Sequence, residues 1–529
     1  MMATKWPMRR LFLAAMVCTL QACGGGGSTS NPDTQALPSN AQASAFDGSH
    51  QWVVNTVDTD VSTVDLPYPS TFLTGGAGSA IYWVKPSGGQ MELNVVEPSS
   101  TNGWQPVKTL MSGLPMSLQQ AQRQVVRAGA WTLLVWNPYA FGSTSNSIYA
   151  RLVGPGVDSG AVEIAHDLFM VFDLWPTVSA DGHARIYWAD PDDHTSTGWH
   201  LGGHFEGPNW VADPPIAINS TSDRLLVDAD GQGWLQEYGL RRLDAATGIG
   251  PRILSDANFE GGTNVTAGRF ALPLPGSHIL FASSTTSSST GTGCVQAVEV
   301  DANLKAPAER PCLNLLGPNT SAVGNALGAS TDDSGRALLV WSDTNDHQLY
   351  AAARSAQGQW TPLGMAADHI YNRVAWPFSP QAVLGPNGRM AIVFSSEQGD
   401  PAYHPEAMTY TLFAVQWDGT KWGTVSQLTS MGASTEAVKA AFDKAGNLGV
   451  LSIEAKDGAE SVRFWTSKDG MQWSDQVLQA GLNFTHLTFI GRSYIRSDLR
   501  LNAASDGSWM ASWVSTSTSG FRINGATLR

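Results

Sequence analysis

Charge is scarce in this sequence: Asp, Glu, Lys and Arg together make up 14% of its 529 residues. Scarce charge goes with disorder only when apolar residues are scarce too, and here they make up 42%. Basic residues are the scarcer kind, 31 against 45 acids, for a formal charge of −14. Without residues 1–22, which carry Lys5, Arg9 and Arg10 and no acid, the charge is −17. So acidic a balance excludes nucleic acid and anionic membrane surfaces as electrostatic partners. Cysteine is limited to four residues with no C-x-x-C spacing, so a reactive thiol pair lacks its motif. No P-loop, HExxH or G-x-S-x-G signature is present. A sustained 3.6-residue period is also missing, and MSLQQAQRQV (116–125) is the one passage that reads as a short helix.

What the sequence has is glycine and tryptophan, 54 and 20 residues, and a pattern that uses both. In 332–360 a polar turn ending at Gly335 leads into the apolar run Ala337 to Trp341. A second turn, SDTNDH, leads into Leu349 to Ala353, and a third, SAQGQ, delivers Trp360. Short runs rich in Val, Leu, Tyr and Trp between Asp, Asn and Gly clusters read as antiparallel strands, here four of them. The unit recurs, with signpost glycines at Gly78, Gly129, Gly182, Gly231, Gly276, Gly335, Gly388, Gly446 and Gly507. A second register of turns ends in Trp104, Trp210, Trp360, Trp422 and Trp473, where each fourth strand should begin.

Four-stranded units of about fifty residues predict an all-β chain, a β-propeller of seven to nine units. Stacked sandwiches are the other arrangement of such strands. The last unit stops at a third strand, FRINGATLR, and SHQWVVNTVD (49–58) is expected to supply its fourth and close the ring. Two divisions stay open: a continuous ring, or a separate β-domain over 46–155 followed by a propeller over 156–529. SKDGMQWS (467–474) resembles the Asp-box turn of sialidase-like propellers, one residue short and without its threonine. The wider repeat resembles those propellers and other exported bacterial propeller lipoproteins; function does not follow from such a likeness.

The first 22 residues read as a signal peptide, with a basic start and the apolar run LFLAAMVCTL. Leu20-Gln21-Ala22-Cys23 resembles the lipobox of bacterial lipoproteins, which implies cleavage before Cys23 and a lipid on that cysteine. Gly24 after it resembles the outer-membrane sorting pattern. An ordinary secretory signal is the alternative. Residues 23–45, rich in Gly, Ser, Asn, Pro and Gln, form a flexible linker, and no later run is long and apolar enough for a membrane helix. The expected site is the bacterial outer membrane, on its periplasmic side or the cell surface. Cys294 and Cys312, the remaining pair, are expected to form a disulfide contributing roughly 3 kcal/mol.

Candidate ligand residues fall in two sets. ADPDDH after Trp188 and SDTNDH after Trp341 share Trp-x-Asp-x-x-Asp-His, bringing Asp190, Asp193 and His194, then Asp343, Asp346 and His347. Carboxylates beside an imidazole suit a metal, a sugar or acid–base chemistry. The same residue types also simply make a turn. Between units lie His166, then His369, Arg373 and Trp376, then His486, Arg492, Tyr494 and Arg496. Aromatic planes with Arg and His suit glycan or peptide recognition, or else plug a central channel. No cofactor is expected. DADGQG (228–233) has a calcium-loop look without a full ligand set or a terminal bidentate Glu. The reading is an envelope-anchored binding or scaffolding propeller for a glycan or protein; the alternative is a glycan-active enzyme, a sialidase-like hydrolase or lyase.

Overall fold

The computed structural model describes residues 43–44, 52–58, 72–73, 80–99, 104–115, 122–137, 146–168, 174–191, 198–213, 216–218, 224–227, 233–237, 239–244, 248–255, 269–276, 278–286, 293–301, 312–313, 323–343, 348–368, 380–398, 409–429, 433–489, 492–496, 499–503, 508–517 and 520–528. The signal segment, Cys23 and most of the linker lie outside these residues. Residues 1–37 and 38–529 are separate compact units, and every described strand belongs to the second.

Among the described residues nine sheets of three to five strands and one two-stranded hairpin follow one another along the chain, each built on antiparallel strands adjacent in sequence. The nine sheets occupy, in order, 72–114, 122–168, 174–218, 224–255, 269–300, 323–367, 381–427, 434–482 and 500–528. First strand lies beside first strand from the second sheet to the ninth, and the ninth sheet's first strand lies beside that of the first sheet. The chain is a β-propeller.

Packing between sheets explains the tryptophan content. The fifth residue of the second strand is Trp188, Trp341, Phe394 and Trp513 in the third, sixth, seventh and ninth sheets. Each is at most 5% exposed and wedges against the preceding sheet. Trp83, Trp136 and Phe281 do the same in other sheets. A sheet buried on both faces needs such volume, and removing one large aromatic costs about 3–5 kcal/mol.

Gly78, Gly231 and Gly507 lie outside the described residues; the other six signpost glycines sit where expected, between first and second strands. Gly129, Gly182, Gly276, Gly335, Gly388 and Gly446 all have φ between 57° and 93°, the left-handed region glycine enters freely. Gly182 has a second reason, since a Cβ there would lie 2.4 Å from the Trp131 ring of the preceding sheet. Neighbouring turns are also tied together: Arg336 Nη2 donates to the Gly385 carbonyl (2.8 Å) and Arg389 Nη1 to the Gly446 carbonyl (2.9 Å). These turns therefore share one side of the molecule, the turn side. Second and fourth strands end on the other, the loop side.

The ninth sheet takes its fourth strand from the start of the chain, as 49–58 predicted. Trp52–Asp58 pairs with Gly520–Leu528, from Trp52↔Leu528 to Asp58↔Ile523. Ile523 in turn packs with Ile81, Trp83 and Val96 of the first sheet.

Two expectations change. Gln122–Ala128, which overlaps the end of the passage read as helical (116–125), is a strand pairing with Trp131–Asn137. The glutamines and arginines suit a helix locally, but WTLLVWN is buried and needs a ladder partner. The boundary at 155/156 falls inside the second sheet, where Val162–Leu168 pairs with Asn146–Gly154.

Candidate functional site

Strand direction brings Asp190, Asp343 and His166 to the loop side. Asp190 lies near the end of the second strand Ala184–Pro191, in register with Trp199. Asp343 ends the equivalent strand Ala337–Asp343, opposite Val323. His166 lies near the end of the second sheet's outer strand Val162–Leu168, 74% exposed and 3.9 Å from the Asp167 carboxylate. Arg492 opens the second arm of a hairpin, Thr485–Phe489 with Arg492–Arg496, inserted between the eighth and ninth sheets. Asp193, His194, Asp346, His347, His369, Arg373 and Trp376 lie outside the described residues, as does most of DADGQG. Among the described residues no three His, Cys, Asp or Glu gather as a metal set.

The turn side is built differently. Its carboxylates are spent on the backbone, as expected of turn residues. Asp418 Oδ1 accepts from Thr420 N (2.8 Å), Thr420 Oγ1 (2.7 Å) and Lys421 N (2.9 Å). The backbone N–H of Lys421, with both Thr420 donors, holds its carboxyl down at about 2. The Asp-box-like turn has the same logic: Asp469 Oδ1 accepts from Met471 N and Gln472 N at 2.9 Å, and Gly470 N donates to Ser467 Oγ. Trp473 is fully buried behind it and donates Nε1–H to the Gly470 carbonyl (3.1 Å). Of the other tryptophans expected to open fourth strands, Trp210 and Trp360 do so, whereas Trp104 and Trp422 precede those strands and bridge back to Pro98 and Trp417.

One buried polar cluster was not anticipated. In the eighth sheet the wedge position holds Ser452 instead of an aromatic residue. Ser452 Oγ donates to Glu454 Oε1 (3.1 Å), and Trp465 Nε1 approaches the same oxygen (3.4 Å). Arg463 stands between two carboxylates, 3.4 Å from Glu454 Oε2 and paired with Asp475 Oδ2, its guanidinium 5.3 Å from the Trp465 ring. Burial pushes the Glu454 carboxyl up, against the pull of Arg463 and with a small push from Asp475. The Glu454 side chain is only 7% exposed and its partners Ser452, Arg463 and Trp465 lie in the same sheet, so it braces the eighth sheet rather than offering a proton to solvent. The one local signal was at the wedge position, where GVLSIEAK carries Ser452 and other repeats carry Trp or Phe.

A second polar cluster joins the third and fourth sheets. Tyr187 Oη accepts from Gly233 N (3.2 Å) and from Arg185 Nη1 (3.1 Å). Asp213 stands 3.2 Å from His204 Nδ1 and 3.7 Å from Arg185. Burial pushes the Tyr187 hydroxyl up, so it stays neutral and bridges the two sheets.

No family model matches the chain, and no curated protein matches it. Solved structures with a similar course include an α-L-arabinofuranosidase of Fusarium graminearum, 12% identical over 68% of this chain and 93% of that one, TM-score 0.30. An ulvan lyase is 8% identical over 88% and 94%, TM-score 0.37. The β-propeller domain of a Pyrococcus furiosus protease is 10% identical over 68% and 98%, TM-score 0.31. At such values the likeness says nothing of activity.

Proposed function

We propose that this chain is a cell-envelope protein, held at the outer membrane by a lipid on Cys23, whose nine-bladed ring binds a glycan on its loop side. The support is strand direction: Asp190 and Asp343 finish second strands, His166 nears the end of an outer strand, and Arg492 sits on the inserted hairpin. Hydroxyl-rich ligands are recognised by that mixture of carboxylates, imidazoles, arginine and aromatic planes. The test is a glycan array probed with the lipid-free domain, followed by affinity measurement on Trp376→Ala and His347→Ala. Both substitutions are expected to weaken the bound glycan at least tenfold while shifting stability by no more than about 0.5 kcal/mol. A stability loss of about 3–5 kcal/mol in Trp376→Ala, the size expected of a buried tryptophan, with affinity intact, would make Trp376 core and end the reading.

A glycan-active enzyme is the second reading. Product analysis on the array's positive glycans decides between them: release of shorter products would replace binding by catalysis. Within the same envelope setting we assign the disulfide to Cys294 and Cys312, supported by the disulfide-bonded state of Cys312. Non-reducing peptide mapping should recover the two joined, and two freely alkylated thiols would remove the assignment.

A further inference from the structure

The start of the ring lies on a definite side. Trp52 pairs with Leu528, and Leu528 also pairs with Trp509, the first residue of the ninth sheet's second strand. Trp52–Asp58 therefore enters the ninth sheet at the turn side and runs toward the loop side. A second point agrees. Ala43 and Ser44 pair in parallel with Trp473 and Ser474, the first residues after the Asp469 turn, again on the turn side. The chain meets the sheets on that side at both contacts.

We infer that the turn side is the membrane-facing surface of this protein and that the loop side is directed away from the bilayer. The inference rests on the lipid-anchor reading for the identity of the attachment, and on strand register alone for the side. Magnitudes favour a real bias. Ala43 lies twenty residues after Cys23, and a Gly/Ser-rich sequence of that length has a typical span of roughly 25 Å. A nine-residue second strand such as Leu448–Lys456 is about 30 Å long. The loop side thus stands a further strand length from the anchor, more than the typical span of such a linker. An acidic molecule has no electrostatic reason to turn over onto anionic lipid. The surface left open is the one carrying Asp190, Asp343 and His166, so a large glycan reaches it without passing between protein and membrane.

The test places one probe at each end of a single strand. Ala445→Cys and Ala459→Cys, both exposed, flank Leu448–Lys456 on the turn side and the loop side respectively. Each full-length lipidated variant is labelled with a donor dye and reconstituted in vesicles carrying an acceptor on the lipid headgroup; labelling of the parent is subtracted. Energy transfer from position 445 is expected to exceed that from 459 by about twofold or more, given the strand length between them. A parallel pair replaces residues 1–22 by a hexahistidine tag, carries Cys23→Ser, and is held on nickel-chelating lipid. If mass spectrometry finds no lipid on Cys23 in the first pair, the anchor reading fails, and the second pair still reads the geometry. Equal transfer, or more from 459 in the tagged pair, overturns the inference.

Discussion

Side chains at equivalent positions do different work here according to the end of the strand they occupy. Asp418 and Glu454 are both carboxylates, yet hydrogen bonds hold the first at about 2 and burial pushes the second up. For Asp418 the folded value lies below the unfolded 3.8, so its contribution is present above 3.8 and is lost as pH falls through about 2. Wild type should therefore be more heat-stable than Asp418→Ala at neutral pH, and the gap should close across that acid window. Thermal melts at a series of pH values check this; a gap that persists at about pH 1.5, below both values, would assign the effect to packing. At this scale the sequence was a good guide to turns, because Asp and Gly have a local geometric reason to be where they are. It was a poor guide to the Ser452–Glu454–Arg463–Asp475 cluster. Those residues are spread over three strands, and only pairing brings them together.

The four-stranded unit was readable because its punctuation is local. Gly335, Gly388 and Gly446 each fix a turn, and Trp360 and Trp473 each open a fourth strand. Gln122–Ala128 misleads for the opposite reason: its residues favour a helix by themselves, and only the buried partner Trp131–Asn137 makes it a strand. The bonds of Arg336 and Arg389 to the next turn were also out of reach, since nothing within one repeat names the carbonyl in the following one. The closing strand gives the sharpest test at this level. Trp52 is 7% exposed, and its ring meets Phe464 edge-on at 4.8 Å. A lipid-free domain lacking residues 46–58 leaves Gly520–Leu528 as a bare edge and Phe464 uncovered. It is expected to lose about 3–5 kcal/mol or more in urea unfolding, since one buried tryptophan alone contributes that much. An unchanged urea midpoint would mean that the ring does not depend on this strand.

Across the whole molecule, the loop side was less legible than the sheets. Sequence spacing identified which loops follow second strands, and Asp190 and Asp343 do end such strands. Convergence of separate loops is a property of ring order, which a linear reading sees only as repetition. The pairing of Trp52–Asp58 with Gly520–Leu528 also has a consequence for biogenesis. If the chain is exported as proposed, the amino-terminal strand crosses the inner membrane first, and its partner crosses last. Successive sheets are free to form as they emerge, but the ninth stays a strand short until the final residues arrive. Joining ends separated by almost the full chain costs loop-closure entropy that no local contact offsets beforehand, so closure is the slow step. Until then both terminal strands are unpaired edges, open to any neighbouring chain. A periplasmic holdase that covers them would determine yield more than any feature of the finished ring.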